Sequence, residues 1–152
     1  PDIVSSLIEY FNDSEFDHCG VAAGAGVAND KLIKRFPDGL DAEIFSIQAL
    51  TEAWQESTKS LHREHVTPFI WQQPDRYRLG TLQSENHDYG RFRWTIDNQE
   101  DFNLIEWIYT MLADKGSQFR MKDVLELLKQ HPEKLTENQH FIGNEGYEEF
   151  WD

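Results

Sequence analysis

Apolar residues first recur at helical spacing. Ile3, Val4, Leu7, Ile8 and Phe11 stand three and four apart, which predicts a helix over 1–12, with Pro1 suited to a first turn and Asn12-Asp13-Ser14 as the stop. The period then shortens. Residues 17–23 around Cys19 and Val21 predict a buried strand, and Gly20, Gly24 and Gly26 loosen the chain into a loop over 24–38. Pro37-Asp38-Gly39 is a turn signal. Leu40 to Ile47 has strand character, and Ser46 can cap a helix over 47–57 that turns Ile47, Leu50, Ala53 and Trp54 inward. A further helix is expected within 60–72, kinked or restarted at Pro68 and closed by Pro74. Arg76 to Leu82 alternates like a half-exposed strand, and a short strand is expected at 92–96.

Asn98, with Asp101 three residues later, has the form of a capping box. The helix it opens carries Phe102, Ile105, Ile108, Tyr109 and Leu112 on one face and should stop at Gly116. A last helix over 121–131 turns Val124, Leu125 and Leu128 inward and ends before Pro132. Residues 133–152 form an acidic tail carrying Phe141, Tyr147, Phe150 and Trp151; such a tail docks on its own domain or on a neighbouring subunit rather than staying disordered. Helices alternating with strands give an α/β class, and residues 1–152 read as a single domain.

Composition narrows the function more than the fold. The chain has 152 residues, of which 39% are hydrophobic and 13% aromatic, enough to fill one core. Its formal charge is −14, which repels phosphate backbones and anionic lipid, so neither nucleic acid nor membrane is an expected partner. No apolar run is long enough to span a bilayer and no signal peptide is visible, so a cytoplasmic location is expected. The chain begins at Pro1 rather than Met and reads as processed or as part of a longer one. Cys19 is the sole cysteine, which rules out an internal disulfide and reads as a core thiol.

Three blocks mix charge with Pro, Gly and aromatic residues, and the basic residues Arg35, Arg63, Arg91 and Arg93 lie in or beside them. In the first, strand alternation puts Asp41 and Glu43 on one face, where paired carboxylates bind a cation, bind hydroxyls or face water. In the second, His62 and His65 flank Arg63 and Glu64; a metal would need further ligands, and an Arg–Glu pair can equally pin the helix. In the third, Asp97 ends a strand just before a capped helix, where open α/β sheets place ligands and a carboxylate can hold Mg²⁺ alongside substrate phosphates. Asp97 can equally cap the helix, with Asp101 at its positive end. Arg93 can face the same site or pair with a carboxylate. Gly24-Ala25-Gly26 lacks the third glycine and the Lys-Ser/Thr of phosphate-binding loops.

The order of the blocks carries a resemblance. Arg35-Phe36-Pro37-Asp38-Gly39-Leu40-Asp41-Ala42-Glu43, Arg63-Glu64-His65-Val66-Thr67-Pro68 and Arg93-Trp94-Thr95-Ile96-Asp97-Asn98-Gln99-Glu100-Asp101-Phe102 together resemble the C-terminal half of the spore-coat-polysaccharide type of cytidylyltransferase, related to the enzymes that activate sialic acid and 3-deoxy-octulosonate with CTP. Phe119-Arg120-Met121-Lys122-Asp123-Val124 and the closing Asn144-Glu145-Gly146-Tyr147 look like that family's C-terminal extension. The resemblance implies the C-terminal portion of a nucleotide-diphospho-sugar transferase-like, Rossmann-like mixed sheet flanked by helices. It implies Asp97 as a catalytic, Mg²⁺-holding carboxylate, and Asp41, Glu43, Arg63, Glu64, His65 and Arg93 as sugar-binding residues. It further implies CTP and a sugar or sugar acid as substrates, a CMP-activated sugar for surface polysaccharide as product, and a homodimer.

The family's Arg-x-Gly-Ser nucleotide loop and first metal carboxylate are not in this sequence, and Asn98-Gln99 stands where the family commonly has Thr-Pro. The expectation is therefore a sugar-side portion that is inert alone. The alternative is a non-catalytic interaction module from a detached or degenerate transferase half.

Overall fold

The computed structural model describes residues 1–23, 34–84 and 87–141. Helix α1 (Asp2–Asp13) leads into strand β1 (His18–Val21). Strand β2 (Glu43–Phe45) runs straight into helix α2 (Ile47–Glu56), and two short helices, α3 (Ser60–His65) and α4 (Pro68–Trp71), precede strand β3 (Leu79–Leu82). Helices α5 (Gln99–Met111) and α6 (Met121–Gln130) complete the set, with 3₁₀ turns at Ala113–Gln118, Pro132–Thr136 and Gln139–Phe141.

The sheet is mixed, in the order β2-β1-β3. β2 lies antiparallel to β1, pairing His18 with Phe45 and Gly20 with Glu43, and β3 lies parallel, pairing His18 with Leu79 and Gly20 with Thr81. Alternation sorts the faces. Cys19, Val21, Ile44 and Leu82 meet Leu7, Ile3 and Phe11 of α1, so the α1 side of the sheet is a dry layer. Phe45 and Leu79 point the other way, onto Ala49 and Ala53 of α2 and Phe69 and Ile70 of α4. A third core lies between α5 and α6, where Leu104, Ile108, Val124, Leu127 and Leu128 close over Phe92.

Several expectations are corrected. Ile47 and Trp54 are not inward but exposed, at 77% and 67%. The buried positions of α2 are Ala49 and Ala53, whose small side chains let α4 approach closely. The strand expected over 40–47 shortens to Glu43–Phe45, because residues 37–41 are spent on a turn in which Leu40 N–H bonds to the Pro37 carbonyl. No strand forms at 92–96; a single bridge joins Arg93 to Asp38. The α-helix expected to run to Gly116 ends at Met111 and gives way to a 3₁₀ turn. On that helix Phe102 and Tyr109 are exposed, while Asp101, Leu104 and Ile108 are buried, because Asp101 is drawn inward by a polar cluster. The Gly24-Ala25-Gly26 segment and the aromatic residues Tyr147, Phe150 and Trp151 lie outside the described residues.

Candidate active site

The polar centre of the molecule is built on Arg93, which is only 4% exposed. Its guanidinium donates from Nη1 to Asp38 Oδ2 at 3.2 Å, from Nη2 to Asp97 Oδ2 at 2.7 Å, and from Nε and Nη2 to the two oxygens of Asp101, each at 3.1 Å. Asp101 is fully buried and also accepts from Thr95 Oγ1, Asp97 N and Asn98 N, each at 3.2 Å. Buried Asn138 joins the two partners, donating to the Arg93 carbonyl at 3.0 Å and to Asp101 Oδ1 at 2.8 Å. The Phe141 ring lies 5.8 Å from the guanidinium carbon. A buried cation with so many carboxylate oxygens is satisfied, so its desolvation is met by paired charge rather than left open. Burial alone would push the Asp101 carboxyl up; hydrogen bonds from Arg93, Asn138 and the Asp97 N–H outweigh it and hold it at about 2.

This cluster settles the local role of Asp97. Asn98 and Asp101 form the capping box of α5, so Asp97 is not the cap. It stands one residue before the cap, pinned by Arg93 through one oxygen, with its side chain 61% exposed. Arg93 sits beneath that carboxylate, buried by its three acidic partners, and acts as its support.

Asp38, Asp41 and Glu43 continue the acidic surface. Asp38 N–H bonds to the Phe92 carbonyl and Trp94 N–H to the Asp38 carbonyl, which brings the turn against the chain before Asp97. Gly39 makes this approach possible: its φ is +91°, and a β-carbon there would stand 2.6 Å from the Trp94 carbonyl. Gly39 N–H in turn donates to Asp41 Oδ2 at 2.9 Å. Burial, with the Asp41 charge, raises the Asp38 carboxyl above its ordinary range despite Arg93. Asp41 is also raised, chiefly by desolvation of its carboxyl although the residue as a whole is exposed, with Gly39 N–H pulling the other way. Glu43, exposed on β2, accepts a contact from the buried His18 imidazole, Nε2 to Oε1 at 3.0 Å.

Arg63, Glu64 and His65 are exposed on α3. They end in an unusual bend: Val66 has φ 64° and ψ −61°, and Thr67 N–H bonds to the His65 carbonyl at 2.7 Å. That is a γ-turn of the rare, strained hand, here on a β-branched residue. Strain of this kind is held in place by its surroundings, here the buried Thr67 and Pro68, and collects where function needs a fixed shape. His62 turns back to Gln72 Oε1 at 3.0 Å and edges onto Phe69, so it serves the helix pair.

The structure thus gathers Asp97 and Arg93 with Asp38, carries Asp41 and Glu43 along the same turn and strand, and sets Arg63, Glu64 and His65 on a separate helix. Among the described residues no group of three or more His, Cys, Asp or Glu side chains is arranged to hold a metal. Beside the acidic surface opens an apolar groove of about 370 Å³, lined by Leu40, Trp94, Ile96, Ile105, Tyr109 and Met121 among others. Sequence reasoning missed Asp38 and Asn138 as parts of the cluster and His18 as the partner of Glu43. Nothing local marks Asn138, because its partners stand 37 and 45 positions away.

No family model matches the chain. An uncharacterized protein of Methanocaldococcus jannaschii, MJ1063, is 29% identical over 104 residues, which are 68% of this chain and 38% of that protein. The spore coat polysaccharide biosynthesis protein SpsF of Bacillus subtilis is 30% identical over 98 residues, which are 64% of this chain and 37% of that protein. The chain therefore spans a little over a third of the length of the curated relatives it matches. The solved structure of a cytidylyltransferase from Leptospira borgpetersenii superposes with a TM-score of 0.72 over 88% of this chain and 52% of that one, at 19% identity. The fold, a small mixed sheet flanked by helices, is that of a portion of this cytidylyltransferase.

Proposed function

We propose that this chain supplies the sugar side of a cytidylyltransferase site, in which a sugar or sugar-acid hydroxyl attacks the α-phosphate of CTP and expels pyrophosphate. The observation that carries the reading is Asp97: an exposed carboxylate held from below by the buried Arg93–Asp101 pair, at the edge of an acidic surface, in a fold shared with a cytidylyltransferase. Similarity to a spore coat polysaccharide protein supports a CMP-activated sugar for surface polysaccharide as the product. Because the relatives are much longer, the activity is assigned to a longer polypeptide that contains these residues, and the 152-residue chain is expected to be inert alone.

Each residue takes a role under this proposal. Arg93 and Asp101 fix where the Asp97 carboxylate stands. Asp41 and Glu43 accept hydrogen bonds from sugar hydroxyls, and Arg63, Glu64 and His65 bind the sugar from α3. Mg²⁺ suits Asp97, since this ion takes one or two protein carboxylates and fills its shell with phosphate and water oxygens; held there it would offset charge on the phosphates. The test is pyrophosphate release from CTP with 3-deoxy-octulosonate or sialic acid as acceptor, by the chain alone and by the polypeptide encoded contiguous with it. Release only by the longer polypeptide is the expected result. Release by neither refutes the activity.

The apolar groove favours a second reading, a non-catalytic interaction module or the homodimer face of the enzyme. Sedimentation over a range of concentrations separates these: self-association of the chain supports the dimer, and a monomer throughout removes it.

A further inference from the structure

On the sheet face turned away from α1, two rows of side chains differ. His18, Phe45 and Leu79 form the first row, and Phe45 and Leu79 lie under α2 and α4. Gly20, Glu43 and Thr81 form the next row, toward the C-terminal ends of the parallel strands β1 and β3, and all three keep exposed surface. Ligands in open α/β sheets gather at that end. The central position of this row has no side chain. A β-carbon at Gly20 would stand 3.8 Å from His18 Cε1 and 3.9 Å from Glu43 Cγ, with nothing closer. Glu43 and Thr81 therefore stand on the strands either side of Gly20, two strand spacings or about 10 Å apart along the backbone, and the gap between them is floored by the Gly20 backbone and narrowed on one side by the Glu43 stem and the His18 ring. His18 walls the gap on the helix side. It is 5% exposed, its ring is parallel to that of Phe45, and its Nε2 meets Glu43 Oε1 at 3.0 Å. An imidazole donating from Nε2 fixes one Glu43 oxygen and leaves the other to accept from a ligand.

We propose that the gap over Gly20, between Glu43 and Thr81, receives the hydroxyl-bearing edge of the sugar, and that His18 is the positioning residue that orients Glu43 toward it. This rests on the reading of nucleotidyl transfer to a sugar given above, and it adds Gly20, Thr81 and His18 to that site. In this arrangement one sugar hydroxyl donates to Glu43 and another exchanges hydrogen bonds with Thr81. Gly20 is then a specificity residue for want of a side chain: its backbone does not require glycine, so a larger residue there fills space without straining the strand.

The experiment is steady-state transfer by the full-length polypeptide, with CTP and 3-deoxy-octulosonate or sialic acid varied independently. Wild type is compared with Gly20→Ala, Gly20→Val, His18→Phe and His18→Gln. Gly20→Val is expected to raise the KM for the sugar about tenfold or more and to leave the KM for CTP within about twofold. Gly20→Ala should move the same constant about threefold, and its methyl makes only ordinary contacts, so it decides the question if the valine variant does not fold. His18→Phe should raise the sugar KM and His18→Gln, which can still donate to Glu43, should restore most of it. An unchanged sugar KM in a folded Gly20→Val, or in Gly20→Ala if the valine variant does not fold, overturns the gap. Equal effects of Phe and Gln at position 18 overturn the positioning role. Parallel rises in both KM values overturn both. A wild type without transfer overturns the underlying reading of function and takes the proposal with it.

Discussion

Replacing Asp101 by Asn exchanges one carboxylate oxygen for an amide nitrogen at the centre of the polar cluster. In the native chain this carboxylate accepts from Arg93 Nε and Nη2, Thr95 Oγ1, the N–H groups of Asp97 and Asn98, and Asn138 Nδ2. The new amide can serve one face of that set as acceptor and must turn N–H groups toward donors on the other. Removing one partner of a buried ion pair costs about 3–5 kcal/mol. Arg93 keeps Asp38 and Asp97, so the low end applies, about 3 kcal/mol, or a fall in Tm of about 6–12 °C for a chain of this size.

The pH dependence gives a second, independent reading. Asp101 titrates at about 2 in the folded chain against an unfolded value of 3.8. A depressed folded value gives stability that is fully present above the unfolded value and is lost as pH falls from there through about 2. The shift corresponds to about 2 kcal/mol. Urea unfolding of wild type and Asp101→Asn should therefore differ by about 3 kcal/mol at pH 7, and the difference should shrink by about 2 kcal/mol between pH 5 and pH 2. A difference below about 1 kcal/mol at pH 7, or one that stays constant across the acid range, refutes the account of Asp101 as the charged keystone of the cluster.

Three further outcomes are expected. In the polypeptide that carries transfer activity, Asp97→Asn should keep the fold, because Asn98 caps α5 and an amide oxygen still accepts from Arg93, while kcat falls about 100-fold; a kcat within about threefold of wild type would exclude Asp97 from the chemistry. Gly39→Ala should destabilise by about 2–3 kcal/mol in urea unfolding, since it combines a φ of +91° with a β-carbon 2.6 Å from the Trp94 backbone; a loss under about 0.5 kcal/mol would mean that the turn can move away. Cys19, fully buried and with its thiol pushed up to about 11 by that burial, should resist iodoacetamide at pH 8 until urea is added, as read by intact mass; rapid labelling of the native chain would place it outside the core.

Helices and block order are legible in the sequence for different reasons. Helices α1, α5 and α6 announce themselves because apolar spacing and end signals act within a few residues; the structure places both ends of α1 and α6 and the start of α5 within a residue or so of expectation, and only the end of α5 falls short. The facing of α2 escapes the pattern, which weighs residues by hydrophobicity. Packing weighs them by fit, and alanines at positions 49 and 53 fit where Trp54 would not. The facing of α5 escapes it for a related reason. A charged residue, Asp101, is its most buried position, and a pattern that sends carboxylates to solvent cannot see the cation waiting inside.

The same limit divides the site. Asp97, Asp41 and Glu43 are visible in the sequence because each stands beside a turn or a helix start that fixes it locally. The groups that give them their environment are not visible, because they come from afar: Asp38 is 55 positions from Arg93, Asn138 is 45, and His18 is 25 from Glu43. A local motif can pin a carboxylate, as Arg93 and Asp101 pin Asp97 from four residues away, but the groups that hold that pair in turn, Asp38 and Asn138, arrive only by closing long loops. Those closures are the parts that a sequence pattern does not encode and that mutation should expose first: loss of Asp101 or Asn138 should disturb Asp97 without either residue touching a substrate.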